Sequence, residues 1–268
     1  MSHGERAEPS GTAATYERDG HVATITYNRP ETANAVNGAM RRDLNAAWER
    51  FMADEEAWVA ILTGAGDRHF CGGADLRDPE GSTGDFTGTF WEVPTVNSFE
   101  SGLEVFKPTI AAVNGTCMGY GLTAVVSCDF VVASDRATFS WPEVTIGIPT
   151  IVGAIRLPRK VAWADAMELL LTGEAIDAQK ALDIGLAWRV VPHHDLMAEA
   201  RALADRLCRA APLAARATKE VGVRTRNMGW TEAVRFGETM RRVAGATHDA
   251  TEGRTAWRQK RSPEWEGR

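Results

Sequence analysis

Residues 107–122 read KPTIAAVNGTCMGYGL. The β-branched, apolar run at 109–113 is a strand by composition, and the Gly-rich NGTCMGYGL after it is a tight turn. Residues 121–127 continue as the first turns of a buried helix. Upstream the same order recurs. A short apolar strand at 59–63 runs into GAGDRHFCGGADL, a second Gly-rich loop. Further strands are predicted at 21–27 (HVATITY), 130–133 and 186–191, with a short extended piece at 138–140. Helical spacing of Met40, Leu44, Ala47, Trp48 and Phe51 predicts a helix over 37–52, and others are predicted at 159–171, 177–184, 194–210 and 213–245. Strands alternating with helices make this an α/β protein. The expected organisation is a flexible N-terminal tail over 1–15, a core over 16–195 and, once strand signals stop, a helical C-terminal region over 196–268.

The 268 residues suffice for one large domain, and 44% hydrophobic with 25% charged residues is an ordinary globular balance. A net charge of −6 argues against nucleic acid as a partner. Cysteines at 71, 117, 128 and 208 match neither a zinc pattern nor a disulfide framework, so free thiols in a reducing cytoplasm are expected. The polar first twenty residues lack the apolar stretch of a secretory signal. No run approaches eighteen apolar residues, and no membrane association is expected.

Two features carry chemistry. Strand-to-turn junctions such as 70–76 (FCGGADL) and 114–122 (NGTCMGYGL) leave backbone N–H groups unpaired, and a following helix adds partial positive charge. Two such donors meeting at one point hold an oxyanion. Neither turn is a Walker or GxGxxG phosphate loop. The third group is Glu143, set between Trp141-Pro142 and Val144, where burial would raise its pKa and suit it to proton transfer. A Glu at a helix start is also what the helix dipole alone favours.

Taken together, NRPETANAVN near 28–37, HFCGGADL at 69–76, KPTIAAVNGTCMGYGL at 107–122, CDFVVASDRATFSWPEVTIGIP at 128–149 and AWRQKRSPEWEG at 256–267 resemble the crotonase superfamily, the enoyl-CoA hydratase/isomerase family, over residues 16 to 267. The resemblance implies a spiral of ββα turns whose C-terminal helices cover the active site and build a homotrimer or hexamer. It implies an acyl-CoA thioester as substrate and no separate cofactor, CoA entering as part of the substrate. By the same match, the oxyanion donors are the N–H groups of Ala74 and Tyr120, and Glu143 is the catalytic acid/base. CoA contacts fall on Ala33, Ala35, Gly72, Leu76 and Arg77, and Lys260 with Arg261 match a basic tail that reaches a neighbouring subunit's CoA. Asp75, Met118, Thr123 and Trp141 complete the residues expected around the substrate, although Trp141 and Trp91 serve equally as core filling. A basic position earlier in the family pattern is Glu31 here.

One departure decides the chemistry. Family hydratases use two glutamates to split one water, and the first falls on Thr123. A threonine hydroxyl is not a carboxylate base at neutral pH. The remaining single glutamate is similar to the isomerase arrangement, in which one carboxylate moves a proton between the α and γ carbons. Another crotonase reaction (a hydrolase or decarboxylase) and a non-catalytic acyl-CoA-binding protein are the alternatives. The 147–153 loop, GIPTIVG, is one residue shorter and more apolar than the family's Gly-Gly version. Glu92, Glu100 and Glu104 are further carboxylates, best read as surface charges, and His69 is a loop histidine without a visible partner.

Overall fold

The computed structural model describes residues 12–78, 98–99 and 103–268. The chain enters through β1 (Ala14–Asp19) and β2 (Val22–Tyr27), an antiparallel pair, then α1 (Gly38–Ala53), whose N-cap Asn37 accepts from Met40 N–H at 2.8 Å. It continues through β3 (Val59–Gly64) and β4 (His69–Cys71), then β5 (Thr109–Val113), β6 (Thr116–Met118) and α2 (Tyr120–Ser127). Next come β7 (Phe130–Ser134), β8 (Thr138–Ser140), α3 (Val152–Arg156), α4 (Trp163–Thr172), β9 (Ile176–Asp177), α5 (Ala178–Asp183) and β10 (Arg189–Val191). Four helices close the chain: α6 (Leu196–Cys208), α7 (Pro212–Arg224), α8 (Trp230–Gly245) and α9 (His248–Gln259).

The strands form two sheets, ordered β1-β2-β3-β5-β7-β10 and β4-β6-β8-β9. The pairs β3/β4, β5/β6 and β7/β8 each place one strand in the large sheet and the next in the small one, so the chain spirals. Within the large sheet all pairs but β1/β2 are parallel. Parallel strands are covered on both faces, and β3 is buried at every position for that reason. Side-chain alternation splits the apolar residues between two layers. Ala23, Ile25, Leu62, Ala111, Val113 and Val131 face the main core with α1, whereas Val22, Ile61, Ile110 and Val132 face Leu196, Ala200 and Leu203 of α6.

Three expectations need correction. β1 starts at Ala14, inside the stretch read as a tail, and Ala13 and Ala14 N–H both donate to Asp43 of α1. Its sequence, ATYERD, lacks an apolar alternation because only one neighbour and one partly buried face define it. The C-terminal region is not wholly an appendage, since α6 is the outer layer of the large sheet. The helix predicted over 213–245 is two: after a 3-10 turn at Thr225–Asn227 the chain extends at Met228 and Gly229, which caps α8 with ψ 154°. Asn and Gly are weak helix formers, and the break follows them. Helix α9 lay outside the predicted elements, although Thr247 caps it by accepting from Ala250 N–H.

Candidate active site

The two Gly-rich turns meet. The Cβ that a side chain at Gly73 would carry stands 4.0 Å from Gly119 Cα, and that of Gly119 stands 2.8 Å from Glu143 Oε1 and 3.7 Å from Gly73 Cα. Gly119 has φ +50°, ψ −113°, so it is glycine both for its backbone and for the carboxylate beside it. A hydrogen bond from Gly119 N–H to Ser140 O at 3.0 Å ties the second turn to the end of β8. From there Trp141 and Pro142 open the 3-10 turn Pro142–Ile146, whose second residue is Glu143. The elements β4, β6 and β8 are adjacent in the small sheet, and their C-terminal ends thus deliver the three groups to one point.

The backbone donors follow from register. Val36 N–H donates to Gly73 O at 2.8 Å and Asp75 N–H to Val36 O at 2.9 Å, a parallel bridge in which Val36 makes both bonds. The opposing residue, Ala74, has its own N–H turned away from Val36. Tyr120 is the first residue of α2, where a helix leaves its N–H groups without intrahelical acceptors. Its ring lies under the Arg41 guanidinium of α1, 5.2 Å away, and its hydroxyl meets Arg41 Nη2 at 3.3 Å.

Glu143 is half-buried, and desolvation raises its pKa above the usual carboxylate range. Its Oε2 is shielded from solvent and has no hydrogen-bond partner. Thr123 Oγ1 accepts from Trp141 Nε1 at 3.1 Å and keeps its own O–H as a donor. Trp141 is wholly buried, so of the two roles open to it the ring takes core filling, behind the site. Ile148 and Ile151 of the shortened loop are exposed, as is Ile146 just before it.

The remaining expected residues divide. Ala33 and Arg77 line one groove of about 610 Å³ with Pro30, Glu31, Thr32 and His69, and Gly72 N–H donates to Ala33 O at 2.8 Å. Ala35 sits beside it, its carbonyl accepting from Arg29 Nη1 at 2.7 Å. Asp75 is a buried brace, paired with Arg29 at 3.3 Å and Arg77 at 3.6 Å. Leu76 is exposed, and Met118 O lies 3.5 Å from the Cβ position of Gly73. Lys260 is not brought to this cluster within one chain. It stands exposed at the end of α9 in the left-handed region, and Arg261 beside it is held by Glu252 at 2.6 Å. Glu104 pairs with Arg224 of α7. Glu92, Glu100 and Trp91 lie outside the described residues.

Two residues went unread. Asn34 is wholly buried, with φ +56°, and bonds Arg29 N–H, Ala65 O and His69 O, clamping the groove's two loops together. Asn tolerates that left-handed backbone, which was the available signal. Thr150, in the shortened loop, lies beside the Glu143 carboxylate.

Residues 17–268 match the family model for enoyl-CoA hydratase/isomerase. The chain belongs to the enoyl-CoA hydratase/isomerase family. It is accordingly an enzyme of the hydratase/isomerase type with the crotonase α/β fold. Among its relatives, the (E)-benzylidenesuccinyl-CoA hydratase of Thauera aromatica is 35% identical, with 94% of this chain and 98% of that one covered. The carnitinyl-CoA dehydratase of Proteus mirabilis is 37% identical, with 93% and 96% covered. An enoyl-CoA hydratase/isomerase structure from Mycobacterium paratuberculosis superposes with a TM-score of 0.84 at 36% identity, over 97% of this chain and 100% of that one. An enoyl-CoA hydratase from Mycobacterium tuberculosis H37Rv gives 0.87 at 32%, over 96% and 100%.

Proposed function

We propose that this family member binds an acyl-CoA thioester, holds its carbonyl oxygen with the N–H groups of Ala74 and Tyr120, and moves a proton at the α carbon with Glu143. The supporting observation is the meeting of Gly73, Gly119 and the Glu143 carboxylate at one point. Charge that develops on the thioester oxygen as an enolate forms is met there by two fixed donors, each worth about 3–4 kcal/mol in such sites. A carboxyl with a raised pKa loses less when it accepts the α proton, and it returns that proton more readily. The groove lined by Ala33 and Arg77 is suited to the CoA portion, with Arg77 toward phosphate.

One carboxylate suffices for exchange of the α proton and for double-bond migration between the α and γ carbons. Hydration is the second reading, favoured by the hydratase and dehydratase names of the relatives, and it requires a further group to hold water. Glu143→Gln keeps the shape of the side chain and removes its basicity. It is expected to abolish turnover of a panel of enoyl-CoA esters while calorimetry still detects ester binding. Undiminished turnover in that variant would overturn the assignment.

A further inference from the structure

The buried polar atoms beside Glu143 do not balance. Glu143 Oε2 and Thr150 Oγ1 are both closed to solvent and neither has a partner at good hydrogen-bond geometry, although the Thr150 hydroxyl lies near enough to favour the charged form of the carboxylate. Such groups are rare in folded proteins because each forfeits its bonds to water. The loop geometry brings them side by side. Ile148 N–H donates to the backbone carbonyl of Glu143 at 2.9 Å, which folds the segment after Gly147 back toward that residue. The Thr150 methyl is fixed on the other side: Cγ2 lies 2.6 Å from where a Gly153 Cβ would stand, and Trp141 Cε2 lies 2.8 Å from the same point. Only glycine at 153 admits both groups. The same indole ring engages the Thr123 hydroxyl through Nε1. The Thr123 hydroxyl thus uses one acceptor site on the tryptophan, while the Thr150 hydroxyl stands next to the Glu143 carboxylate.

We propose that Thr150 Oγ1 and Glu143 Oε2 together hold the water that this enzyme adds to, or removes from, the β carbon of its substrate. This rests on the enolate reading above and extends it to hydration. The water oxygen bonds to C3 as the C2–C3 π pair moves into the enolate held at Ala74 and Tyr120. Glu143 takes one proton from the water and delivers a proton to C2, so the carboxylate is regenerated and the product carries one added water. Thr150 exchanges no proton in the balance. Its hydroxyl accepts from, or donates to, the water and fixes it over C3, the task that a second carboxylate performs by charge. Dehydration is the reverse path, with the product hydroxyl in the water's place.

The test compares the full-length enzyme with Thr150→Val, which keeps the shape and removes the hydroxyl, and Thr150→Ser, which restores it. Hydration of but-2-enoyl-CoA and 3-phenylpropenoyl-CoA is followed by loss of the enoyl-thioester absorbance. Exchange of the C2 protons of butanoyl-CoA and 3-phenylpropanoyl-CoA in D2O is followed by mass spectrometry, since that step needs no water at C3. Thr150→Val is expected to lower the hydration kcat by at least about tenfold, the order of one hydrogen bond to a reacting group. KM is expected to change by less than about threefold while C2 exchange survives. Thr150→Ser is expected to recover hydration. Because Val removes a buried hydroxyl that makes no well-formed hydrogen bond, the variant is expected not to lower Tm. The proposal is overturned by hydration at the wild-type rate in Thr150→Val, or by loss of hydration and exchange in equal proportion, which would make Thr150 only a prop for the carboxylate. Failure of Ser to restore hydration, or a wild type that exchanges C2 protons but hydrates neither ester, overturns it too. A wild type that does neither overturns the enolate reading itself.

Discussion

Gly119 and Gly121 flank Tyr120, and each is glycine for its own reason. A side chain at Gly119 would meet the Glu143 carboxylate at 2.8 Å, and one at Gly121 would stand 2.5 Å from Cys71 Cβ of the neighbouring strand. Neither constraint falls on the residue between them, so a side chain as large as tyrosine fits there, its ring turned to Arg41. Glu143 is different, because its environment changes its chemistry. Burial lifts its pKa above the ordinary 4.5, so the folded state binds a proton more tightly than the unfolded chain does. Its contribution to stability is full below pH 4.5 and is lost as pH rises through the raised value. At pH 7 the half-buried charge opposes folding. Glu143→Gln is therefore expected to raise Tm at pH 7, with the gain fading toward pH 4, which calorimetric scans across that range would check. The activity limb has the same origin. kcat/KM is expected to fall on the acid side at a pH above the usual carboxylate range, and an acid limb at 4.5 or below would count against Glu143 as the base.

At the scale of elements, the groove depends on a loop that has little regular structure. Residues Ala33 and Asn34 both take positive φ, and the Asn34 side chain holds them to the β3–β4 connection by bonds to Ala65 O at 3.0 Å and His69 O at 2.8 Å. Asn34→Ala would leave these buried groups unpaired and put alanine in a left-handed backbone. The expected loss is about 3–4 kcal/mol, read from the urea midpoint, with weaker binding of the CoA portion. Sequence reading found most elements here and misjudged others for identifiable reasons. Runs with strong periodicity, such as 37–52 and 109–113, matched α1 and β5 closely. The edge strand β1 and the two-residue β9 carry no such periodicity, because their pairing partners rather than their own side chains define them. The α7–α8 break occupies only the 3-10 turn Thr225–Asn227 and two extended residues, Met228 and Gly229, within a stretch of helical periodicity.

For the whole molecule, large apolar side chains remain on the surface: Trp230 is 83% exposed, Trp257 82% and Leu171 69%. Single exposed apolar residues are ordinary, but indoles this open favour contact with another surface. The resemblance led to the expectation of a trimer or hexamer, and these side chains give that expectation a physical basis. Sedimentation at micromolar concentration is expected to return an assembly larger than one chain, with Trp230→Glu shifting it toward monomer. A monomeric wild type would remove that role from these helices. Among the described residues no helix is long and apolar enough to cross a membrane. The cysteines are free, and burial pushes the Cys128 thiol up to about 12.

The sequence by itself determined the α/β class, the family and the identity of the two Gly turns, because strand periodicity, turn glycines and ordered motifs are local properties of the chain. It also located Glu143. Tertiary structure alone decided that Gly73, Gly119 and Glu143 share one point, since they lie on three different turns of the spiral and only the parallel order β4-β6-β8 aligns their ends. It likewise gave two threonines different surroundings. Thr123 was the residue that sequence singled out by position, and its hydroxyl accepts from Trp141, whereas the Thr150 hydroxyl stands beside the Glu143 carboxylate. Which hydroxyl comes to lie beside a carboxylate is a property of packed neighbours, and no spacing along a chain reveals it.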